Sequence, residues 1–217
     1  MYVGLAMYKH VPTITADTLI TKADRMMEAH KLWILLVVED GILKGCVHMQ
    51  DIRTALPSSA TTFSKHELNY LLSKMTVKDL IRREMPTVRP ETEIEVAAKI
   101  MHDQDLAGLA VVDERGHLKG YLSRSSMLAV LIEEMGLALG GHRIAIEVED
   151  RKGLMAELSR LFVDMGINIL STSTFFRGNL RLLVFRIATD TPAQVEQAVR
   201  DKGYKIVGPE RFAKEWA

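Results

Sequence analysis

The first two thirds of this chain say the same thing twice. Pro12-Thr13-Ile14 returns as Pro86-Thr87-Val88, a shift of 74 residues. At that shift Thr18 falls on Thr92, Ile20 on Ile94, Ala23 on Ala97 and Met27 on Met101. Leu32, Leu35, Val37 and Val38 fall on Leu106, Leu109, Val111 and Val112. One further residue at a turn then moves the shift to 75, and Gly41, Leu43, Lys44 and Gly45 match Gly116, Leu118, Lys119 and Gly120. A repeat of this length predicts two copies of one supersecondary unit, stacked because neither buries its apolar face alone. The cleft between two such copies is a natural place for a small ligand.

Composition narrows the partners. Lysine plus arginine (28) equals aspartate plus glutamate (28), so no broad field draws in nucleic acid or an anionic membrane. The single cysteine, Cys46, has no internal disulfide partner, which points to a reducing, cytoplasmic setting. The longest apolar stretch, Ser126 to Gly141, is interrupted by Glu133 and Glu134, so no membrane span is expected. The N-terminus lacks a basic region followed by an apolar core, and no signal peptide is expected either.

Each repeat reads strand, helix, strand, strand, helix. Asp17 or Thr18 is placed to cap a helix bearing Ile20, Ala23, Met26 and Met27. Thr92 and Glu95 read as a capping box ahead of Ile94, Ala97, Ile100 and Met101. Trp33 to Val38 and Leu109 to Val112 suit buried strands. Between the repeats, Pro57 to Thr62 reads as a polar loop. Ser64 and Glu67 form another capping box, opening a bridging helix. After Ser126 a helix is expected to about Met135, then a linker, Leu137 to Gly141. From His142 the pattern changes. Ile144, Ile146 and Val148 alternate as a strand. A helix with Leu154, Leu158, Leu161 and Phe162 follows, then a hairpin from Ile167 to Ala188 turning at Arg177-Gly178-Asn179. Thr191-Pro192 opens a second helix, and Lys205 to Val207 is a last strand. This is a βαββαβ, ferredoxin-like order.

Two seven-residue segments hold candidate ligand chemistry. The first repeat reads Gly45-Cys46-Val47-His48-Met49-Gln50-Asp51, and the second reads Gly120-Tyr121-Leu122-Ser123-Arg124-Ser125-Ser126. With the repeat, these resemble the Gly-h-h-Ser/Thr-x-x-Asp segment of CBS domains, in which h is apolar. The region 142–217 resembles an ACT domain through Asp150-Arg151-Lys152-Gly153-Leu154 and Asn168-Ile169. The expected class is therefore α+β: a CBS pair of two βαββα repeats, 1–74 with its connecting helix and 75–135, then an ACT domain, 142–217. That order of modules is similar to the acetoin-utilisation B-type family.

The CBS resemblance implies an adenine nucleotide as regulatory ligand, with the aspartate on the ribose hydroxyls and the hydroxyl residue near phosphate. Carried over, Asp51 is the ribose acceptor and His48 stands where a hydroxyl is usual. The second segment keeps the hydroxyl in Ser123, has Ser126 in place of the carboxylate, and adds Arg124 as an anion partner. Thr13 and Ile14, and Thr87 and Val88, would line the base pockets. The alternative reading makes Asp51 only a helix N-terminal acid and Ser123 a cap. The ACT resemblance implies an amino acid at a subunit interface, near Asp150, Gly153, Leu154, Asn168 and Ile169. Lysine stands at 152 where proline is usual, so the turn is less fixed in φ.

Nothing in the sequence argues for catalysis. The seven histidines show no metal spacing, and no Gly-x-Ser-x-Gly elbow or Walker-type glycine loop occurs. The expectation is a homodimeric, non-catalytic regulator requiring no cofactor or metal. It would sense a nucleotide, and an amino acid in addition, and act on a protein partner linked to acetoin utilisation. The rival is a dimeric adaptor that binds a partner protein and no metabolite.

Overall fold

The structure, a computed structural model, describes residues 1–56, 64–178 and 180–216. The loop expected from Pro57 to Thr62 and Asn179 of the expected turn lie outside the described residues. Two compact units divide between Leu128 and Ala129.

The first unit holds both repeats. Its elements are α1 (Val3–Ala6), β1 (Thr13–Ile14), α2 (Ile20–His30), β2 (Ile34–Glu39), β3 (Ile42–His48), α3 (Met49–Ala55) and α4 (Lys65–Leu72). The second copy follows as β4 (Thr87–Val88), α5 (Ile94–Asp103), β5 (Gly108–Val112), β6 (Leu118–Ser123) and α6 (Arg124–Glu134), whose last turns fall in the second unit. Each copy forms a three-stranded sheet, β1-β2-β3 and β4-β5-β6, with the first pair parallel and the second antiparallel. The duplication extends to a defect: the β2–β3 ladder slips between Val37 and Val38, and the β5–β6 ladder slips between Val111 and Val112. The residue that changes the shift from 74 to 75 sits in the β5–β6 turn. There Asp113 Oδ1 accepts from the N–H groups of Arg115 and His117, 2.9 Å each, which absorbs the insertion.

The apolar strands are buried on both faces. Leu35, Val37 and Val47 meet Ile20, Ala23 and Met27 in the core of the first repeat. Leu36, Cys46 and Ala110 form a second core, with Tyr121 and Met85 packed against it. The hairpin tips also join: Leu43 N–H donates to Gly116 O (3.0 Å) and Leu118 N–H to Gly41 O (2.9 Å).

The Ser64–Glu67 box is present. Ser64 N–H donates to Glu67 Oε2 (2.8 Å) and Glu67 N–H donates to Ser64 Oγ (3.3 Å). The other two expected caps are corrected. Leu19 and Glu93 are the N-cap residues, with no side-chain cap bond. Thr18 and Thr92 instead accept from the N–H of Thr15 and Arg89, 3.1 Å each. The free helical donors find distant backbone: Ile20 N–H reaches Met75 O and Ile94 N–H reaches Met1 O, 3.0 Å each. A carbonyl from elsewhere in the fold satisfies the helix end, so a side-chain cap is not needed there.

The second unit contains β7 (His142–Glu149), α7 (Leu154–Asp164), β8 (Asn168–Arg177), β9 (Leu180–Ala188), α8 (Pro192–Asp201), β10 (Lys205–Ile206) and α9 (Ala213–Trp216). The sheet order is β10-β7-β9-β8, the ferredoxin-like arrangement. Both long helices contribute to one core, where the rings of Phe162 and Phe185 meet edge to face at 5.2 Å. The segment expected as a linker is fastened to this unit. Leu137–Leu139 form a 3-10 turn, Ser171 Oγ and Arg186 Nε both donate to Met135 O (2.8 and 3.0 Å), and Arg186 Nη1 donates to Gly140 O (3.1 Å).

Candidate ligand-binding site

The two repeats enclose a cavity of about 720 Å³, within the size range of small-molecule sites. One wall comes from the first repeat: Trp33 and Ile34 where β2 begins, Cys46 and His48 at the end of β3, and Gln50, Arg53 and Thr54 on α3. The opposite wall is Arg82, then Glu84 to Pro86 just before β4, and Asp105 to Gly108 leading into β5. The cavity thus takes the motif end of one repeat and the strand entrances of the other. That arrangement follows from the pairing of Cys46 with Arg82 and from the shared core beneath it.

Asp51 lies on the first turn of α3, and its carboxylate is already occupied. Arg82 Nε donates to Oδ2 and Nη2 to Oδ1, each at 2.8 Å, a parallel two-bond pair. That pairing, before any other influence, holds the Asp51 carboxyl below its ordinary value. Asp51 lines a smaller neighbouring cavity of about 510 Å³, together with Asp79 and Ile81, and Arg82 lines both cavities. The ion pair is therefore part of the partition between them. His48 faces the main cavity. Burial, and then the nearby Arg82 charge, push its ring below the ordinary histidine value, so at neutral pH it is an uncharged hydrogen-bonding group. Burial likewise raises the Cys46 thiol, which reads as a packed core residue and not a thiolate.

The equivalent segment of the second repeat is engaged differently. Ser126 N–H donates to Ser123 Oγ (3.0 Å), Ser123 N–H donates to Ser126 Oγ (3.4 Å), and the two hydroxyls lie 3.1 Å apart. These serines cap α6 reciprocally, and Ser126 is buried. Arg124 donates to Leu106 O (2.8 Å) and forms an ion pair with Asp105. Tyr8 replaces Arg82 and Tyr121 replaces Cys46: Tyr8 and Tyr121 form the bridge that corresponds to Cys46 and Arg82. Thr87 and Val88 directly follow the lining residue Pro86, and Thr13 and Ile14 hold the same place in the first repeat. Ile14 and Val88 are buried in the cores, while Thr13 and Thr87 are exposed.

Within the second unit, Gly153 has φ of +85° at the N-cap of α7, and Leu154 is buried. Asp150 is paired with Arg181. Asn168 and Ile169 open β8 opposite Ala188 and Ile187, and Ile187 also faces His142. The Asp150 to Gly153 turn follows Glu149 at the other end of β7. The two expected ligand segments thus lie at opposite ends of the sheet, and one chain does not bring them together.

Sequence reasoning missed Arg82, Arg53, Gln50 and Trp33. Arg82 was accessible in principle: it sits 74 residues after Tyr8, within a stretch, 1–12 against 75–86, where the repeat retains only Met1/Met75, Val3/Val77 and Pro12/Pro86. Among the described residues no cluster of three or more metal-ligating side chains occurs, and no helix is long and apolar enough to cross a membrane.

The sequence profile of the CBS domain matches residues 3–58 and 77–133, and that of the ACT domain matches residues 142–203. A CBS domain-containing protein of Dictyostelium discoideum is 30% identical over 128 residues, 58% of this chain and 88% of that protein. Two further relatives are much longer, and the chain spans 24% of one and 19% of the other. Among solved structures, CBSX2 in complex with AMP is 28% identical, with a TM-score of 0.50 over 61% of this chain and 96% of its own; CBSX2 is a protein of Arabidopsis thaliana. A Vibrio cholerae protein assigned provisionally to acetoin utilization (AcuB) is 20% identical, with a TM-score of 0.53 over 65% of this chain and 98% of its own. At that identity the likeness concerns the fold alone.

Proposed function

The chain belongs to the CBS domain family, with an ACT domain after its two CBS repeats, and we propose that it is a non-catalytic regulator binding an adenine nucleotide between the repeats, beside the Asp51–Arg82 pair. The observation that carries this reading is the 720 Å³ cavity between the repeats, with His48, Gln50, Arg53 and Arg82 converging on it. The AMP complex of CBSX2 supports adenine nucleotide as the ligand class. The Ser123–Ser126 segment is the poorer candidate, since the two serines satisfy each other. We assign the modules as 1–74, 75–135 and 142–217. The link to acetoin utilisation rests on module order alone, and the cytoplasmic setting on one buried, unpaired cysteine.

The ACT domain is proposed to pair with a second copy and to take an amino acid there. Strand β8 lies at the edge of the sheet, with Phe175 and Phe176 exposed. Antiparallel pairing of two β8 edges would set Asn168 of one copy near the Asp150 to Gly153 turn of the other, which a single chain does not do. The adaptor reading, in which a partner protein and no metabolite binds, is favoured by one observation: the Asp51 carboxylate is already satisfied by Arg82.

A thermal-shift titration with AMP, ADP, ATP and S-adenosylmethionine separates the two. A ligand at 100 times its Kd adds roughly 2.7 kcal/mol of stability when it binds only the folded state. A shift in wild type that Asp51→Ala abolishes is expected. No shift with any of the four would favour the adaptor.

A further inference from the structure

We propose that Arg82 is a specificity-determining residue that admits nucleoside phosphates to the Asp51 cleft and excludes uncharged nucleosides. The inference rests on the reading of this cleft as a nucleotide site, and concerns which nucleotides it takes.

The argument begins with the partition. Both oxygens of Asp51 already accept from Arg82, at 2.8 Å each, so a ribose that takes the same edge of the carboxylate with two hydroxyls displaces the guanidinium. A ligand that supplies ribose hydroxyls alone restores the partners of Asp51 and leaves the guanidinium with water. Arg82 is 54% exposed at its side chain, so water replaces part of what is lost, but not a charge-assisted pair. A ligand that also carries a phosphate completes the exchange. Ribose hydroxyls hydrogen-bond the carboxylate, phosphate pairs with the guanidinium, and neither charge is left without a partner. Arg82 lines both the main cavity and the one that Asp51 lines, so a rotation of its side chain away from Asp51 opens the partition between them. Its backbone is held in place, with Arg82 N–H donating to Cys46 O (2.8 Å) and Arg82 O accepting from Cys46 N–H (3.0 Å).

The carboxylates nearby sharpen the point. Glu84 and Asp105 line the same cavity, Asp105 being paired with Arg124, and among the described lining residues the guanidiniums of Arg82 and Arg53 are the cations that a phosphate meets. Arg53 lies 3.8 Å from Glu28 Oε1, a long, exposed contact that does not involve Asp51. Arg53 would strengthen phosphate binding without coupling it to ribose. In the second repeat Tyr8 and Ser126 stand where Arg82 and Asp51 do, and no such exchange can operate.

The test is isothermal titration of AMP and adenosine into wild type, Arg82→Gln and Arg53→Gln. Wild type should prefer AMP by about 10- to 100-fold, the worth of a charged hydrogen-bonding partner. Arg82→Gln should weaken AMP and strengthen adenosine, bringing the ratio to within a few fold of one. Arg53→Gln should weaken AMP more than adenosine and leave a clear preference for AMP. If Arg82→Gln does not fold, Arg82→Lys serves: it keeps the charge, loses the fork and should lower the preference part of the way. Wild type binding AMP with a preference that the Arg82 variants leave intact would overturn the role of Arg82 alone. Adenosine weakened along with AMP in Arg82→Gln would do the same. Wild type binding neither ligand would overturn the nucleotide reading itself, and this inference with it.

Discussion

Val3 and Val77 are the same residue of a duplicated unit, each packed on the repeat in which it does not begin. Both are completely buried. Val3 N–H donates to Thr92 O and Val77 N–H to Thr18 O, 2.9 Å in each case. The short segment ahead of each repeat therefore completes the other one, and the pair folds as an interlocked whole. Deleting the buried methyls of either valine should cost about 1.5–3 kcal/mol. Chemical denaturation of Val3→Ala and Val77→Ala is expected to give losses of similar size. A negligible loss at Val3 would contradict the interlock.

Gly45 and Gly120 test the same symmetry at the strands. A Cβ at Gly45 would lie 2.3 Å from Arg82 O, and one at Gly120 would lie 2.5 Å from Tyr8 O. Gly45 also has φ of +143°. Each strand admits the swapped segment only where a side chain is missing. Alanine at Gly45 combines overlap with backbone strain and should cost roughly 3 kcal/mol or more. Gly120→Ala should cost somewhat less. Melting both variants checks the order.

His48 predicts an acid-side slope. Its ring is held below the ordinary value of 6.5, chiefly by burial. As the pH falls through about 6.5 the unfolded chain takes up this proton before the folded protein does, so stability drops. The loss continues until the pH reaches the lower value of the folded ring. Denaturation between pH 8 and 5 should show a shallower decline for His48→Gln than for wild type. Equal slopes would mean that the ring is not shielded.

Tyr121 predicts the opposite edge. Burial raises its hydroxyl from 10.0 to about 12. Above pH 10 the unfolded chain gives up its proton while the folded protein keeps it, so stability falls with rising pH across that window. Tyr121→Phe should lose less stability than wild type between pH 9 and 11.

The repeat, the strand order of each copy and the ferredoxin-like order of the second unit were legible because apolar periodicity and turn residues are local signals. The caps at Thr18 and Thr92 were not. The donors at those helix ends are satisfied by Met75 and Met1, which no local window contains. The site was legible by half. Asp51 and His48 stand out at fixed spacing from Gly45, but Arg82, 31 residues beyond Asp51, reaches the carboxylate only through the strand pairing at Cys46. In the second segment the spacing of Ser123 and Ser126 is met by a local bond, Ser126 N–H to Ser123 Oγ, that caps the helix.

A crystal structure of the protein grown with AMP tests the central claim most directly. The account predicts AMP in the cavity between Trp33 and Pro86, its phosphate on Arg82 and its ribose reaching Asp51 where the Asp51–Arg82 partition has opened. AMP lodged beside Ser123 and Ser126, or a cavity left empty at saturating AMP, would contradict it.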